Sequence, residues 1–236
     1  MADLMSGVAA TFLILAAIFM VEKAERSEHV ETVLERQTRA QDEARQKIAE
    51  LGAAIRALRR THDSVQVDRG DPLLLTIVLR RAEFGFARGG CDVSERARDV
   101  LVKELPALLE RVCTTAGEGY IQGIVLEGHT DATPYTRRDS VCGIPPSPSK
   151  CASTPDAECE TLSFANNVRL SAARAQNLFF SLREQLQLYD RRALLKCLEN
   201  WFVVSGRGPV EPIGTHDQNR RVVIKIRGRV KGGVSR

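Results

Sequence analysis

No two of the six cysteines, Cys91, Cys113, Cys142, Cys151, Cys159 and Cys197, form a close CxxC pair, which argues against a zinc site of the usual spacing. All six fall in the last two-thirds of the chain, and disulfides in an oxidising compartment account for them better than free buried thiols. Charge of one sign is not concentrated either. The 34 Lys and Arg against 30 Asp and Glu leave a formal charge of +4 over 236 residues, short of the basic face that a nucleic-acid partner requires. Catalytic constellations are absent as well: there is no nucleophile elbow, metal-ligand cluster, phosphate loop or acid pair at a workable spacing. The expectation is a non-enzyme with no cofactor and no metal, built as one full domain plus accessory segments.

From Leu4 to Val21 the run LMSGVAATFLILAAIFMV carries no charge, at the lower end of what spans a bilayer as a helix. A cleavable signal peptide would open with positive charge, whereas this chain opens with Met1, Ala2 and Asp3, so residues 1–21 read as a retained, single transmembrane helix. Lys23, Arg26 and Arg36 follow the span, and the positive-inside rule alone would place that side in the cytoplasm. The cysteines and the character of the C-terminal domain favour the opposite orientation, with the domain in the periplasm. Asp3, taken by itself, suits a helix cap or a partner of the helix dipole.

Between Glu22 and about His62 there is no proline and one glycine, Gly52, which predicts one long helix, a linker over 22–66. A heptad frame fits, with Ser27, Leu34, Gln41, Ile48, Ile55 and His62 at one core position and Val30, Gln37, Ala44, Leu51, Leu58 and Val65 at the other. The stronger half of that seam runs from Ile48 to Leu58 and predicts a parallel dimer there. At about 1.5 Å per residue such a helix reaches roughly 60 Å, enough to hold a domain away from a membrane.

A domain over 67–230, with a short tail at 231–236, begins near Gly70-Asp71-Pro72. Leu73 to Arg81 reads as a strand, Ser94 to Cys113 as one amphipathic helix, Ile121 to Glu127 as a strand, Leu170 to Leu188 as a helix, and Trp201 to Ser205 and Arg221 to Ile226 as two more strands. The order βαβαββ predicts an α+β fold with helices on one face of a mixed sheet. Residues 132–165 interrupt this order with Pro134, Pro145, Pro146, Pro148 and Pro155 and with Cys142, Cys151 and Cys159. Three cysteines in such an insertion require that at least one pairs outside it or stays free.

Four blocks then stand in order: EGHTDATP at Glu127 to Pro134, NVRLSAARA at Asn167 to Ala175, GRG at Gly206 to Gly208, and NRRVVIKI at Asn219 to Ile226. Together they resemble the signature of OmpA-like domains, and AxDLMSG ahead of an apolar helix resembles the start of MotB-family membrane helices. The first resemblance implies a domain that binds the diaminopimelate peptide of peptidoglycan without cutting it. Asp131 then takes the place of the acid that holds the ammonium, and Arg174 that of the guanidinium that grips the carboxylate. Thr130, Asn167, Asn219, Arg220 and Arg221 match positions lining the same groove, with Arg220 or Arg221 a second anion contact.

The second resemblance implies that Asp3 carries H+ or Na+, because a carboxylate in a low-dielectric channel alternates between neutral and charged forms as access switches. The implied partners are MotA-like, ZorA-type, multi-span membrane subunits, five around a homodimer of this chain. Only two residues precede Asp3, where flagellar members usually carry a basic tail. That departure, the long spacer and the cysteine-bearing insertion look more like the MotB-like subunits of Zorya anti-phage defence systems than like a flagellar stator subunit. The alternatives are that flagellar MotB role and a passive inner-membrane anchor to peptidoglycan.

Overall fold

A computed structural model describes residues 2–58, 62–79, 84, 86–87, 89–131, 142–146, 148, 151, 156–210 and 219–231, with side chains from residue 18 onward except those of residues 25 and 62. The chain divides into two compact units, Met1–Glu43 with Val230–Arg236, and Ala44–Arg229.

The first unit is occupied by the N-terminal part of helix α1 (Ala2–Arg56). Its described side chains are solvated, and Val30, Val33 and Leu34 are all exposed. Helix-spaced ion pairs run along it, Arg26 to Glu22 at 2.6 Å and Arg39 to Glu35 at 3.4 Å. Asp3 and most of the apolar run 4–21 lie outside the described side chains. Among the described residues no helix is long and apolar enough to cross a membrane.

The second unit contains β1 (His62–Val67), β2 (Leu74–Leu79), α2 (Glu95–Lys103), α3 (Leu105–Gly117), β3 (Ile121–His129), α4 (Ala157–Leu188), α5 (Arg192–Trp201), β4 (Phe202–Gly208) and β5 (Val222–Gly228). The five strands form one mixed sheet in the order β1-β2-β5-β3-β4, antiparallel except for the parallel pair β3 and β4. Register aligns Leu75 with Ile226 and Ile77 with Ile224, and Ile124 with Ile226 and Leu126 with Ile224. These six form one apolar layer, and the core joins them to side chains of α2, α3, α4, α5 and the end of α1. The expected α+β layering is therefore present, with one more strand and two more helices than the sequence pattern predicts.

The extra strand corrects the reading of 22–66 as a helical linker. Helix α1 ends at Arg56, and His62 and Val65 sit in a strand paired with β2, His62 opposite Leu79 and Val65 opposite Ile77. The turn that follows folds the chain back, because the Asp68 carboxylate accepts from the main-chain N–H of Gly70 at 2.7 Å and of Asp71 at 2.8 Å. The predicted dimer seam is corrected too. Ala44, Ile48 and Ile55 are fully buried and Leu51 nearly so, and Ile48, Leu51 and Ile55 are packed into the chain's own core. An apolar stripe at spacings of three and four fits any apolar face, and here the face is the sheet. Ile48 lies so close to Gly228 that a Cβ there would stand 2.8 Å from it.

Two helix boundaries also move. The single helix expected over Ser94 to Cys113 is two, because Pro106 in the first turn of α3 lacks an N–H to continue the ladder. Ser94 caps α2, its hydroxyl accepting from Ala97 N at 3.1 Å. Helix α4 starts at Ala157 and not near Leu170, capped by Asp156, which accepts from Cys159 N at 2.8 Å. The insertion between Asp131 and Asn167 thus ends earlier than expected. All six cysteines are paired, as Cys91–Cys142, Cys113–Cys197 and Cys151–Cys159. One insertion cysteine, Cys142, does pair outside the insertion.

Candidate functional site

Helix α4 comes unusually close to the sheet. Gly128 of β3 and Gly206 of β4 are opposite each other in the parallel register, and a Cβ on Gly128 would stand 1.9 Å from the carbonyl oxygen of Ser171. One on Gly206 would stand 2.5 Å from the main-chain nitrogen of Ala172. The small residues of the block LSAARA and the glycines of EGHTD and GRG are therefore two halves of one contact. Gly208, at a positive φ of 66°, turns the end of β4 so that its N–H reaches the Ser171 hydroxyl at 2.8 Å. This contact delivers Arg174, one turn further along α4, to the end of β3.

We expect Gly128→Ala to lower stability by on the order of 4 kcal/mol, because both partners of the clash are backbone in regular elements and cannot give way locally. Gly123→Ala, in the same strand with nothing within 4 Å of the new methyl, is the matched control and should be near neutral. Equal thermal midpoints for the two variants would contradict the close-approach account.

At that end of the sheet the sequence-predicted residues meet. Asp131 follows β3, and its carboxylate lies 2.6 Å from Nη1 of Arg220, which precedes β5. Thr130 N donates to Gly208 O at 3.0 Å, and His129 N donates to Arg221 O at 2.9 Å. The Thr130 hydroxyl faces the Asn167 carbonyl of α4 at 3.5 Å. Nη1 of Arg221 reaches Oδ1 of Asn219 at 3.4 Å. Thr130, Asp131, Asn167, Arg174, Asn219 and Arg221 are all buried. The side chain of Arg220 is 16% exposed, twice the 8% of the Asp131 side chain.

Arg174 is only 1% exposed. Its Nε donates to Gly90 O at 2.9 Å, Nη1 to His129 O at 3.3 Å and Nη2 to Ala87 O at 3.2 Å, while the Phe86 ring lies 5.2 Å from the guanidinium carbon. Burial, and then repulsion from Arg220, push its pKa down to about 10, against the favourable charge of Asp131. It remains a cation at neutral pH. The cradle formed by the carbonyls of Ala87, Gly90 and His129 was not legible in the sequence, since backbone acceptors leave no residue signature.

A second charged cluster lies on β3 just before the site. Glu127 is buried, 3.0 Å from Nε of Arg207 and 2.9 Å from Nζ of Lys225, with Nε2 of His129 at 3.6 Å. Burial raises its pKa, but His129, Lys225 and Arg207 together outweigh that and hold it at about 2. Such an ion-paired carboxylate is a fixed charge, and it ties β4 and β5 to β3.

No protein-family model matches the chain, and no curated protein matches it. Solved structures that resemble it include a putative MotB-like protein from Desulfovibrio vulgaris, 18% identical, covering 83% of this chain and 96% of that one at a TM-score of 0.42. The periplasmic domain of Helicobacter pylori MotB is 15% identical, covering 70% and 88% at 0.42. The OmpA-like domain of FopA1 from Francisella tularensis is 12% identical, covering 72% and 85% at 0.37. At this identity and TM-score none of these likenesses decides a function, which has to rest on the chain's own residues.

Proposed function

We propose that this chain belongs to the wall-anchored subunits of membrane ion motors: MotB-like, single-pass in the bacterial inner membrane, with the unit Ala44–Arg229 gripping peptidoglycan in the periplasm. Within that class we assign it to the Zorya anti-phage defence motor, as the ZorB-type partner of MotA-like multi-span subunits. The observation that carries the reading is the convergence of four separated sequence blocks on one end of the sheet, where Asp131, Arg174 and Arg220 meet.

The geometry suits a zwitterion. The free end of diaminopimelate carries an ammonium and a carboxylate on one carbon, and Asp131 with Arg220 presents the complementary pair of charges. On binding, the ligand's ammonium takes over Asp131, and Arg220, the more exposed of the two, turns its fork to the ligand's carboxylate. Arg174 stays in its cradle and supplies a buried positive field under the anion. The motor assignment within this reading rests on Asp3 and on the exposed helical spacer between the apolar run and the domain.

Purified protein should co-sediment with peptidoglycan sacculi. Asp131→Ala or Arg220→Ala should each weaken the binding by about 1.5–3 kcal/mol, the magnitude of a charged hydrogen bond, measured at a temperature where circular dichroism shows each variant folded. If both variants sediment like the parent protein, the wall-binding site is not at this end of the sheet.

A further inference from the structure

Arg174 rides on α4, yet two of the three carbonyls that hold it, Ala87 O and Gly90 O, belong to the segment that joins β2 to α2. That segment makes a turn of its own, Gly90 N to Ala87 O at 3.0 Å, and ends at Cys91. Cys91 is bonded to Cys142 of the insertion. Its carbonyl oxygen and Sγ also accept from Nδ2 of Asn177, at 3.0 and 3.2 Å. Two residues after Cys142, Ile144 is 1% exposed and packs with Cys91 and Leu170. Leu170 and Asn177 flank Arg174 on α4, so the contacts close into a ring: α4 to insertion, insertion to the 86–91 segment, and that segment back to Arg174.

We propose that the Cys91–Cys142 disulfide is a positioning element for Arg174, holding the Ala87 and Gly90 carbonyls on the guanidinium and so setting how firmly the site takes an anionic group. A buried cation is stable only while its acceptors stay aimed at it, and two of these acceptors, Ala87 O and Gly90 O, sit in a turn outside any helix or strand. A crosslink from Cys91 to Cys142, beside the buried Ile144, limits the conformations open to that turn. The part of the insertion around Cys142 and Ile144, outside the four motif blocks, then has a task at the site: it braces the turn that holds the arginine. The positioning follows from these contacts alone, while the consequence for affinity rests on the cell-wall reading above.

The test uses the detergent-solubilised full chain and a 1,2-dicarbonyl reagent that modifies accessible guanidinium groups, read by peptide mass. In the parent protein Arg174 should react as slowly as Arg221, which is 5% exposed, and far more slowly than Arg192, whose side chain is 87% exposed. In Cys91→Ser/Cys142→Ser the rate at Arg174 should rise at least about tenfold while Arg221 stays protected. Asn177→Ala, which leaves the disulfide intact, should move Arg174 in the same direction by less. Sedimentation with peptidoglycan sacculi should weaken several-fold on removing the disulfide, and not at all when it is removed from Arg174→Ala. Arg174 remaining as protected as Arg221 in both variants would overturn the proposal, as would Arg174 and Arg221 becoming reactive together, the mark of general loosening. Failure of the parent protein to sediment would count against the wall-binding function, and the reactivity of Arg174 would still decide the positioning role.

Discussion

A fragment that begins at Asp71 will not fold to a stable domain, whereas one that begins at Ala44 will. The sequence pattern places the domain start near Gly70-Asp71-Pro72, but a cut there removes β1 and the buried stripe of α1. Ile48, Leu51 and Ile55 are then lost from the core, at about 1.5–3 kcal/mol for each fully buried side chain. Their loss also uncovers Leu75, which packs beside Gly52, and leaves β2 as a bare edge strand, open to pairing with other chains. The combined deficit is on the order of 6 kcal/mol, comparable with the whole stability of a typical domain. The measurement is thermal unfolding of the two fragments by circular dichroism, with light scattering. The fragment 44–229 should give one cooperative transition, and 71–229 should aggregate or melt without cooperativity. A fragment 71–229 that melts within a few degrees of 44–229 would show that the α1 stripe is dispensable.

On the proposed reading, Asp3→Asn is expected to abolish motor activity while leaving protein abundance and wall binding intact. An amide fills nearly the same volume as a carboxyl group but cannot take up and release a proton at physiological pH. If Asp3 were a helix cap instead, the outcome would reverse, because Asn caps a helix about as well as Asp and the variant would be nearly silent. Asp3→Glu keeps the titratable group on a longer arm and should retain part of the activity. The assay is phage protection, or motility for a flagellar role, with the MotA-like partner co-expressed and an immunoblot to confirm equal membrane levels. Full activity of Asp3→Asn at normal abundance would favour a passive wall anchor. Because the proposed wall site is in the unit Ala44–Arg229 and Asp3 is not, sedimentation with peptidoglycan should not respond to this substitution.

Most of the candidate site's membership was legible in the residues. Asp131, Arg174, Thr130, Asn167, Asn219, Arg220 and Arg221 were picked from four short blocks, and the fold gathers them at one end of the sheet. Their division of labour was not legible. Arg174, read as the group that grips a carboxylate, is enclosed by three main-chain carbonyls, and Asp131 is bonded to Arg220. A guanidinium's role depends on which acceptors surround it, and here they are backbone atoms, one 45 residues away in sequence from Arg174 and two 84 residues or more away. Arg207 and Lys225 were likewise unremarkable as residues until the β3 register set them around Glu127.

By itself the sequence determined the elements whose causes are local. Alternating apolar residues gave β5, and the apolar spacing from Leu170 to Leu188 gave the C-terminal part of α4. Only the tertiary structure decided what the stripe Ala44, Ile48, Leu51 and Ile55 packs against, because that spacing suits a second helix and a sheet equally well. Only it decided that His62–Val67 is a strand, since six residues gain strand structure by pairing with β2 and not by their own propensity. The pairing of the six cysteines was decided there too, as a disulfide requires two Cα atoms about 4.4–6.8 Å apart, and proximity across 51 or 84 residues is a property of the fold.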